Sequence, residues 1–107
     1  MNRDALTPMV KIETVVAGTD AFAVRELIAA AGATGYTAVS GVSGLGHHGP
    51  HQGRLLFNDH DTLTLLMTVV PDEQADALIG GLRALLASSS GVMFVSDTYV
   101  SRPEYFQ

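Results

Sequence analysis

Hydrophobic and polar positions alternate along this chain in blocks that predict six secondary-structure elements. Short runs rich in β-branched and apolar residues predict four strands, and two longer blocks with apolar residues three and four apart predict helices. The strands are predicted at residues 9–18, 35–42, 61–70 and 92–100, and the helices at residues 19–32 and 71–91. This βαββαβ order predicts an α+β, ferredoxin-like sandwich, in which both helices cover one face of a four-stranded antiparallel sheet.

Start and stop signals support both helices. Thr19 or Asp20 can cap the first helix, and Gly32 ends it. The first helix is predicted to carry its apolar stripe on Phe22, Arg25, Leu27, Ile28 and Ala31. The second helix opens with Pro71, Asp72 and Glu73, as a helix N-terminus should. Its buried face is predicted at Ala75, Leu78, Ile79, Leu82 and Leu85. In the second strand, Gly41 marks a β-bulge.

The third and fourth strands are apolar at nearly every position, through residues 63–70 and 92–95. A strand that is apolar on both faces is buried on both faces. Because the helices cover only one face, the second face needs another cover, and a second copy of the same sheet supplies it. The apolar fraction of 47% and the mean hydropathy of +0.24 also favour subunit contacts over a small monomer. The chain is therefore predicted to oligomerise.

The connection between the second and third strands is far longer than a hairpin needs. A hairpin takes roughly two to five residues, whereas residues 44–60 number about 17. Long loops are usually functional or disordered, and the pattern favours a mobile, ligand-gated arm over a tolerated insertion. Gly44, Gly46 and Gly49 allow successive backbone N–H groups to turn inward and surround an anion.

Histidines in this loop leave two interpretations. His47, His48 and His51 are of the residue type that most often binds zinc, copper or nickel. However, no thiol or carboxylate stands at a fixed spacing beside them, so no metal is expected. The sequence favours solvated loop histidines, one of which donates to an anion.

Two further segments carry alternatives. The SSSG run at residues 88–91 is either a polar stop to the second helix, with Gly91 in a left-handed cap, or a phosphate loop of small residues. Arg102 is either a solvated charge or a cation that reaches a phosphate in a neighbouring subunit. No catalytic triad or carboxylate pair can be placed from spacing, and the protein is predicted not to be an enzyme.

Composition excludes several classes of function. The net charge is −5, and the six Lys and Arg residues are scattered, which disfavours nucleic-acid binding. No apolar run approaches the ~18 residues of a membrane span, and the N-terminus lacks the apolar region of a signal peptide. There are no cysteines for disulfides, thiolate zinc sites or nucleophiles. These features predict a single cytoplasmic domain over residues 1–107, without membrane insertion.

From Met9 to about Arg102 the chain resembles the PII-like signalling family. The resemblance rests on GYT at 35–37, GLGHHG at 44–49, VVPDE at 69–73 and GVMFVSD at 91–97. It implies a homotrimer with an adenine-nucleotide site in each cleft between subunits. The site would combine the start of the second strand, the base of the T-loop (44–60), the B-loop (88–92) and the neighbour's chain end. It implies nucleotide binding by Thr37, Gly44, Leu45, Gly46, His47, Val69, Ser89, Ser90, Gly91, Val92, Met93 and Arg102.

Departures from the family pattern refine this expectation. Typical members carry a lysine after the B-loop glycine and two arginines near the chain end, whereas Val92 follows Gly91 here and Arg102 stands nearly alone. Fewer cations favour ADP or AMP over ATP. Histidines replace the family's magnesium-binding glutamine, which argues against sensing of 2-oxoglutarate.

Within the family, the chain looks nearest to the carboxysome-associated and bicarbonate-transporter-associated PII-like branch. That branch implies bicarbonate as a further ligand, held by Gly44, Gly46, His47 and His48. It also implies control of inorganic-carbon uptake through a target such as a bicarbonate transporter or a carboxysome-associated protein. The alternatives are a metal-responsive trimer resembling the divalent-cation tolerance proteins and a small ferredoxin-like hydrolase.

Overall fold

The strands and helices follow the predicted order. The computed structural model describes residues 3–43 and 62–107. The main elements are β1 (Thr7–Ala17), α1 (Ala21–Ala30), β2 (Thr37–Val42), β3 (Leu63–Val70), α2 (Asp72–Leu86) and β4 (Val92–Val100). All three strand pairings are antiparallel, and the sheet order is β2-β3-β1-β4. This arrangement confirms the predicted α+β ferredoxin-like fold.

Both helices are shorter than predicted. A 3-10 turn at Gly18–Asp20 precedes α1, and neither Thr19 nor Asp20 makes the predicted side-chain cap. At the other end of α1, Gly32 has φ +84°, so it ends the helix as predicted. Helix α2 stops at Leu86, five residues before the predicted end. Serines compete for backbone hydrogen bonds and so favour turns over helix, and residues 88–90 form such a turn.

The core lies between the helices and one face of the sheet. It contains Val10, Ile12, Val16, Ala21, Val24, Ile28, Leu66, Val70, Ala75, Leu78 and Leu82. The predicted face of α2 is confirmed, because three of its residues are buried and Ile79 and Leu85 pack against them. The predicted stripe of α1 is partly wrong, since Phe22 is 63% exposed. The buried stripe begins one residue earlier, at Ala21, because docking onto the sheet selects the phase of the helix.

Gly41 forms the predicted bulge in β2. Its φ is +78°, a conformation that favours glycine. The pairing with β3 shifts register between Ser40 and Val42, so Val42 pairs with Leu63. If β2 were regular through Gly41, strict alternation would turn Val42 to the opposite face of the sheet.

The face of the sheet that points away from the helices is mostly apolar. We call it the open face. Residues paired across antiparallel strands share a face, so the register assigns to it Val15, Ala17, Val39, Val42, Leu63, Leu65, Met67, Val69, Val92 and Phe94. Phe94 is 56% exposed and Val39 is 48% exposed in the single chain. Lys11 and Glu13 interrupt the apolar surface and lie 3.8 Å apart as an ion pair.

Candidate functional site

The turn between α2 and β4 contains the predicted B-loop and is held by local hydrogen bonds. The backbone N–H of Ser89 donates to the carbonyl oxygen of Leu86, with the nitrogen and oxygen 3.1 Å apart. The backbone N–H of Gly91 donates to Oγ of Ser89 at 2.9 Å. The exposed Ser90 lies between them. The hydroxyl of Ser89 is therefore engaged in shaping the turn, as in other serine turns.

Gly91 is required by packing rather than by backbone conformation. Of the two interpretations of residues 88–91, the one that puts Gly91 in a left-handed cap is wrong, because the glycines with positive φ in the described ranges are Gly32 and Gly41. A Cβ at Gly91 would lie 2.7 Å from Cγ1 of Val16 and 2.8 Å from Cδ2 of Leu86. The absent side chain thus lets the turn lie directly against the end of β1.

The start of β2 is fixed to β3 by a buried threonine. Oγ1 of Thr68 donates to the carbonyl oxygen of Gly35 at 2.6 Å, and Thr68 is only 3% exposed. Thr37, two residues further on, pairs with Met67. Val69 follows Thr68 directly and lies on the open face, as Thr37 does. These two predicted nucleotide-binding residues therefore lie on neighbouring strands and the same face.

The chain end returns to the segment that precedes β2. After β4, residues Pro103–Tyr105 form a 3-10 turn. Nη1 of Arg102 donates to Oη of Tyr105 at 3.1 Å, and the guanidinium carbon lies 5.6 Å from the centre of the tyrosine ring. Oγ1 of Thr34 donates to the carbonyl oxygen of Tyr105 at 2.6 Å. Arg102 is exposed and is attached, through this tail, to the connection between α1 and β2.

The predicted nucleotide-binding residues are spread along the length of the sheet within one chain. Ser89 to Met93 lie where β4 begins and Arg102 lies beyond its other end, whereas the register sets Thr37 and Val69 level with Phe94 and Ser96, between these ends. Val92 pairs with Val15, and Val100 pairs with Thr7, which is eight residues away along β1. At ~3.4 Å per residue, the two ends of β4 are about 27 Å apart. Arg102, beyond Val100, is therefore remote from the B-loop of its own chain.

Strand β2 ends and β3 begins at the end of the sheet where the B-loop lies. Val42 pairs with Leu63, which pairs with Ala17, near the Val15–Val92 pair. However, β2 and β4 are the two edge strands, and three strand spacings of ~4.8 Å separate them by about 14 Å. Gly44, Leu45, Gly46, His47 and His48, the remaining predicted ligand-binding residues, lie outside the described residues.

Three residues with structural importance here were not identified from the sequence. Thr34 and Tyr105 are hydrogen-bonded to each other across 71 positions of the chain. Thr68 is hydrogen-bonded to Gly35, 33 positions away. The sequence around a threonine does not indicate which distant carbonyl oxygen its hydroxyl will bind. GYT at 35–37 marked the right segment, but it did not indicate what holds that segment.

Within 3–43 and 62–107, no group of three or more His, Cys, Asp or Glu residues is arranged to hold a metal ion. His47, His48 and His51 lie outside these ranges. None of the described helices is long and apolar enough to cross a membrane.

Comparison with known proteins identifies the class to which this fold and these loops belong. The family described as "Nitrogen regulatory protein P-II" matches residues 9–105, so the chain belongs to the P-II family. The resemblance inferred from the sequence is thereby confirmed. Proteins of this family are trimeric signalling regulators that bind adenine nucleotides.

Solved structures of a PII-like protein are similar over nearly the whole chain. CPII from Thiomonas intermedia K12, a nitrogen regulatory PII-like protein bound to ADP, AMP and bicarbonate, is 38% identical with a TM-score of 0.83. That match covers 94% of this chain and 95% of CPII. CPII bound to ADP and bicarbonate is 35% identical with a TM-score of 0.82, over 95% and 97% of the two chains.

The apo form of CPII from the same organism matches with 33% identity and a TM-score of 0.71, over 89% of this chain and 94% of that one. A comparison with curated proteins found no match.

Proposed function

We propose that this protein is a homotrimeric, non-enzymatic PII-like regulator that binds ADP or AMP in the clefts between subunits. The observation that carries the proposal is the separation of about 27 Å between the two ends of β4. A nucleotide is too short to reach both the B-loop and Arg102 of one chain. Two adjacent subunits can supply the two groups to one ligand, with the B-loop from one and the tail from its neighbour.

The open face supports the trimer. It carries Leu65, Met67 and Val69 on β3, and Val92 and Phe94 on β4. An exposed apolar surface of this extent marks an interface, and burial of such surface stabilises association by about 25 cal/mol per Å². The trimer therefore has the same sheet face of each subunit turned toward its centre, with the helices outside.

The ligand assignment is supported by the liganded CPII structures, whose nucleotides are ADP and AMP. We propose that Thr37 and Val69 contact the adenosine part, and that Ser89 to Met93 contact the phosphates. Arg102 of the neighbouring subunit would add one cation. A single arginine with a lysine-free B-loop suits one or two phosphates better than three.

Bicarbonate is proposed as a second ligand at the base of the T-loop. CPII binds bicarbonate together with adenine nucleotide. The backbone N–H groups of Gly44 to His48 would surround this small anion, and His47 or His48 would add a donor. Amide hydrogen exchange with ADP tests this. Bicarbonate should raise protection at residues 43–48 and leave residues 50–58 unprotected, and equal protection by chloride would contradict a bicarbonate site.

We propose that the ligand state controls a target through the T-loop, at about residues 44–60. The target would be a bicarbonate transporter or a carboxysome-associated protein, and the protein would regulate inorganic-carbon uptake in the cytoplasm. A ligand shifts the loop only by its difference in affinity for the two loop states. Pull-down with and without ADP plus bicarbonate tests this. A target that binds equally under both conditions would contradict ligand control.

Subunit mixing provides the direct test of a shared nucleotide site. We expect Arg102→Ala and Ser90→Asp each to weaken ADP binding enough to leave their sites largely empty at an ADP concentration that just fills the wild-type sites, the second because it sets a carboxylate beside the phosphates. Each variant alone should still form trimers. When the two are refolded together at equal amounts, random assembly should restore about one quarter of the wild-type sites, because the two intact halves can come from different subunits.

The control is the doubly substituted protein mixed with wild-type protein, which should also retain about one quarter of its sites under the shared-site arrangement. A site built within one chain predicts a different pair of results. Mixing the two single variants would then restore no binding, while the control mixture would keep about half of its sites. Calorimetric titration of ADP gives the number of sites in each case.

A further inference from the structure

The tail that carries Arg102 is held by side chains after the sheet has ended. The backbone N–H of Tyr105 donates to the carbonyl oxygen of Arg102 at 3.0 Å, closing the 3-10 turn. Residues i and i+3 lie on the same side of such a turn. Tyr105 is thereby brought alongside Arg102, where its hydroxyl accepts from Nη1 at 3.1 Å and its ring lies 5.6 Å from the guanidinium carbon.

Thr34 connects this turn to the rest of the protein. Its hydroxyl donates to the carbonyl oxygen of Tyr105 at 2.6 Å. Thr34 stands one residue before Gly35, whose carbonyl oxygen accepts the buried hydrogen bond from Thr68. The tail is therefore attached to the firmly held start of β2. The guanidinium group nevertheless remains exposed.

We propose that Thr34 and Tyr105 are positioning residues for nucleotide binding. They orient the side chain of Arg102 so that it reaches a phosphate in the adjacent subunit's cleft. This inference rests on the proposed nucleotide site and adds two residues to it. Nη1 offers one of the guanidinium N–H groups to Tyr105, and the other N–H groups stay available for phosphate oxygens. An arginine that is already confined loses less side-chain freedom when its ligand binds.

The arrangement also has a competing interpretation with the opposite consequence. If Tyr105 withholds Arg102 from the phosphate, its loss would strengthen ADP binding. The positioning role predicts weaker binding, so the two are separated by the direction of a single measured change.

Calorimetric titration of ADP and of adenosine tests the proposal. Thr34→Ala removes the anchoring hydroxyl from an exposed position, so the fold should be retained. We expect it to weaken ADP about three- to tenfold and adenosine less than about twofold, as lost preorganisation predicts. Thr34→Ser keeps the hydroxyl and should restore wild-type affinity. Tyr105→Leu removes both contacts to Arg102 and should weaken ADP at least as much as Thr34→Ala.

A double-mutant cycle distinguishes positioning from a general structural effect. If Thr34 acts through Arg102, Thr34→Ala should cause no further loss of ADP affinity in an Arg102→Ala background. Independent, additive losses would overturn the proposal, as would equal losses for ADP and adenosine, or tighter ADP binding by Tyr105→Leu. Wild-type protein that binds no ADP would refute the proposed function itself. Wild-type binding that Thr34→Ala leaves unchanged would refute only the positioning role.

Discussion

Replacing Gly91 with alanine tests how closely the B-loop is packed against the sheet. The added Cβ would lie 2.7 Å from Cγ1 of Val16 and 2.8 Å from Cδ2 of Leu86, whereas ordinary contact begins at 3.4 Å. Each methyl group would have to move by about 0.6 to 0.7 Å. Val16 is fully buried and cannot retreat toward solvent. The carbonyl oxygen of Val15, at 3.1 Å, limits movement on a third side.

The expected result is a loss of stability together with weaker ADP binding. Overpacking of this kind typically costs about 1–3 kcal/mol. Backbone strain contributes little, because Gly91 does not have positive φ. The turn can relieve the clash only by moving away from β1, which would displace Ser89 and Ser90 from the proposed phosphate site. Urea unfolding at a fixed subunit concentration gives the stability change, and calorimetry gives the affinity.

Gly80→Ala is the matched control. Gly80 is an exposed residue of α2 with no atom within 4 Å of an added Cβ. Alanine is favoured over glycine in a helix by about 1 kcal/mol, so this variant should be more stable than wild type. Its ADP affinity should not change. A Gly91→Ala protein as stable as wild type, with unchanged ADP affinity, would refute the packing explanation for the glycine.

Three further predictions concern the core, the interface and the ligand. Thr68→Val should lower the unfolding free energy by about 1 kcal/mol, because it removes the hydrogen bond to the carbonyl oxygen of Gly35. Thr14→Val should not lower it, because the buried Thr14 hydroxyl has no partner among the described residues. Equal losses of stability in urea unfolding would contradict this. Phe94→Glu should yield monomers in sedimentation, because it places a charge in the proposed interface. Phe22→Glu, at an exposed position of α1, should stay trimeric. An intact Phe94→Glu trimer would exclude the open face as the interface. Arg102→Ala should weaken ADP by about 1.5–3 kcal/mol more than adenosine; equal losses in calorimetry would remove Arg102 from the phosphate site.

Much of the fold follows from local sequence patterns. The alternation of β-branched runs with apolar residues at helical spacing is enough to predict the βαββαβ order, because each element has a period of its own. The bulge at Gly41 and the stop at Gly32 were also predictable, since both positions need a positive φ that glycine adopts readily. The boundaries and the phase of α1 were less accessible. Stripes beginning at Phe22 or at Ala21 both fit a period of 3.6, and only docking onto the sheet selects between them.

For the candidate site, too, some features follow from local sequence and others depend on the tertiary structure. The segments that contain it were predicted from short motifs and from a resemblance, because loops of glycine, serine and threonine carry recognisable composition. Their spatial relation depends on tertiary structure. The sequence places Gly91 and Arg102 only 11 positions apart, yet the extended strand β4 lies between them and sets them beyond opposite ends of the strand.

Sequence by itself therefore determined the class of fold, the apolar character of both sheet faces and the segments to consider for a ligand. The tertiary structure decided why Gly91 is a glycine, which threonine holds the start of β2, and how Thr34 and Tyr105 hold Arg102. The physical reason is the range of the interactions. Periodicity and turn preference act over a few residues, whereas steric contact and side-chain hydrogen bonds join positions that become neighbours only when the sheet has formed.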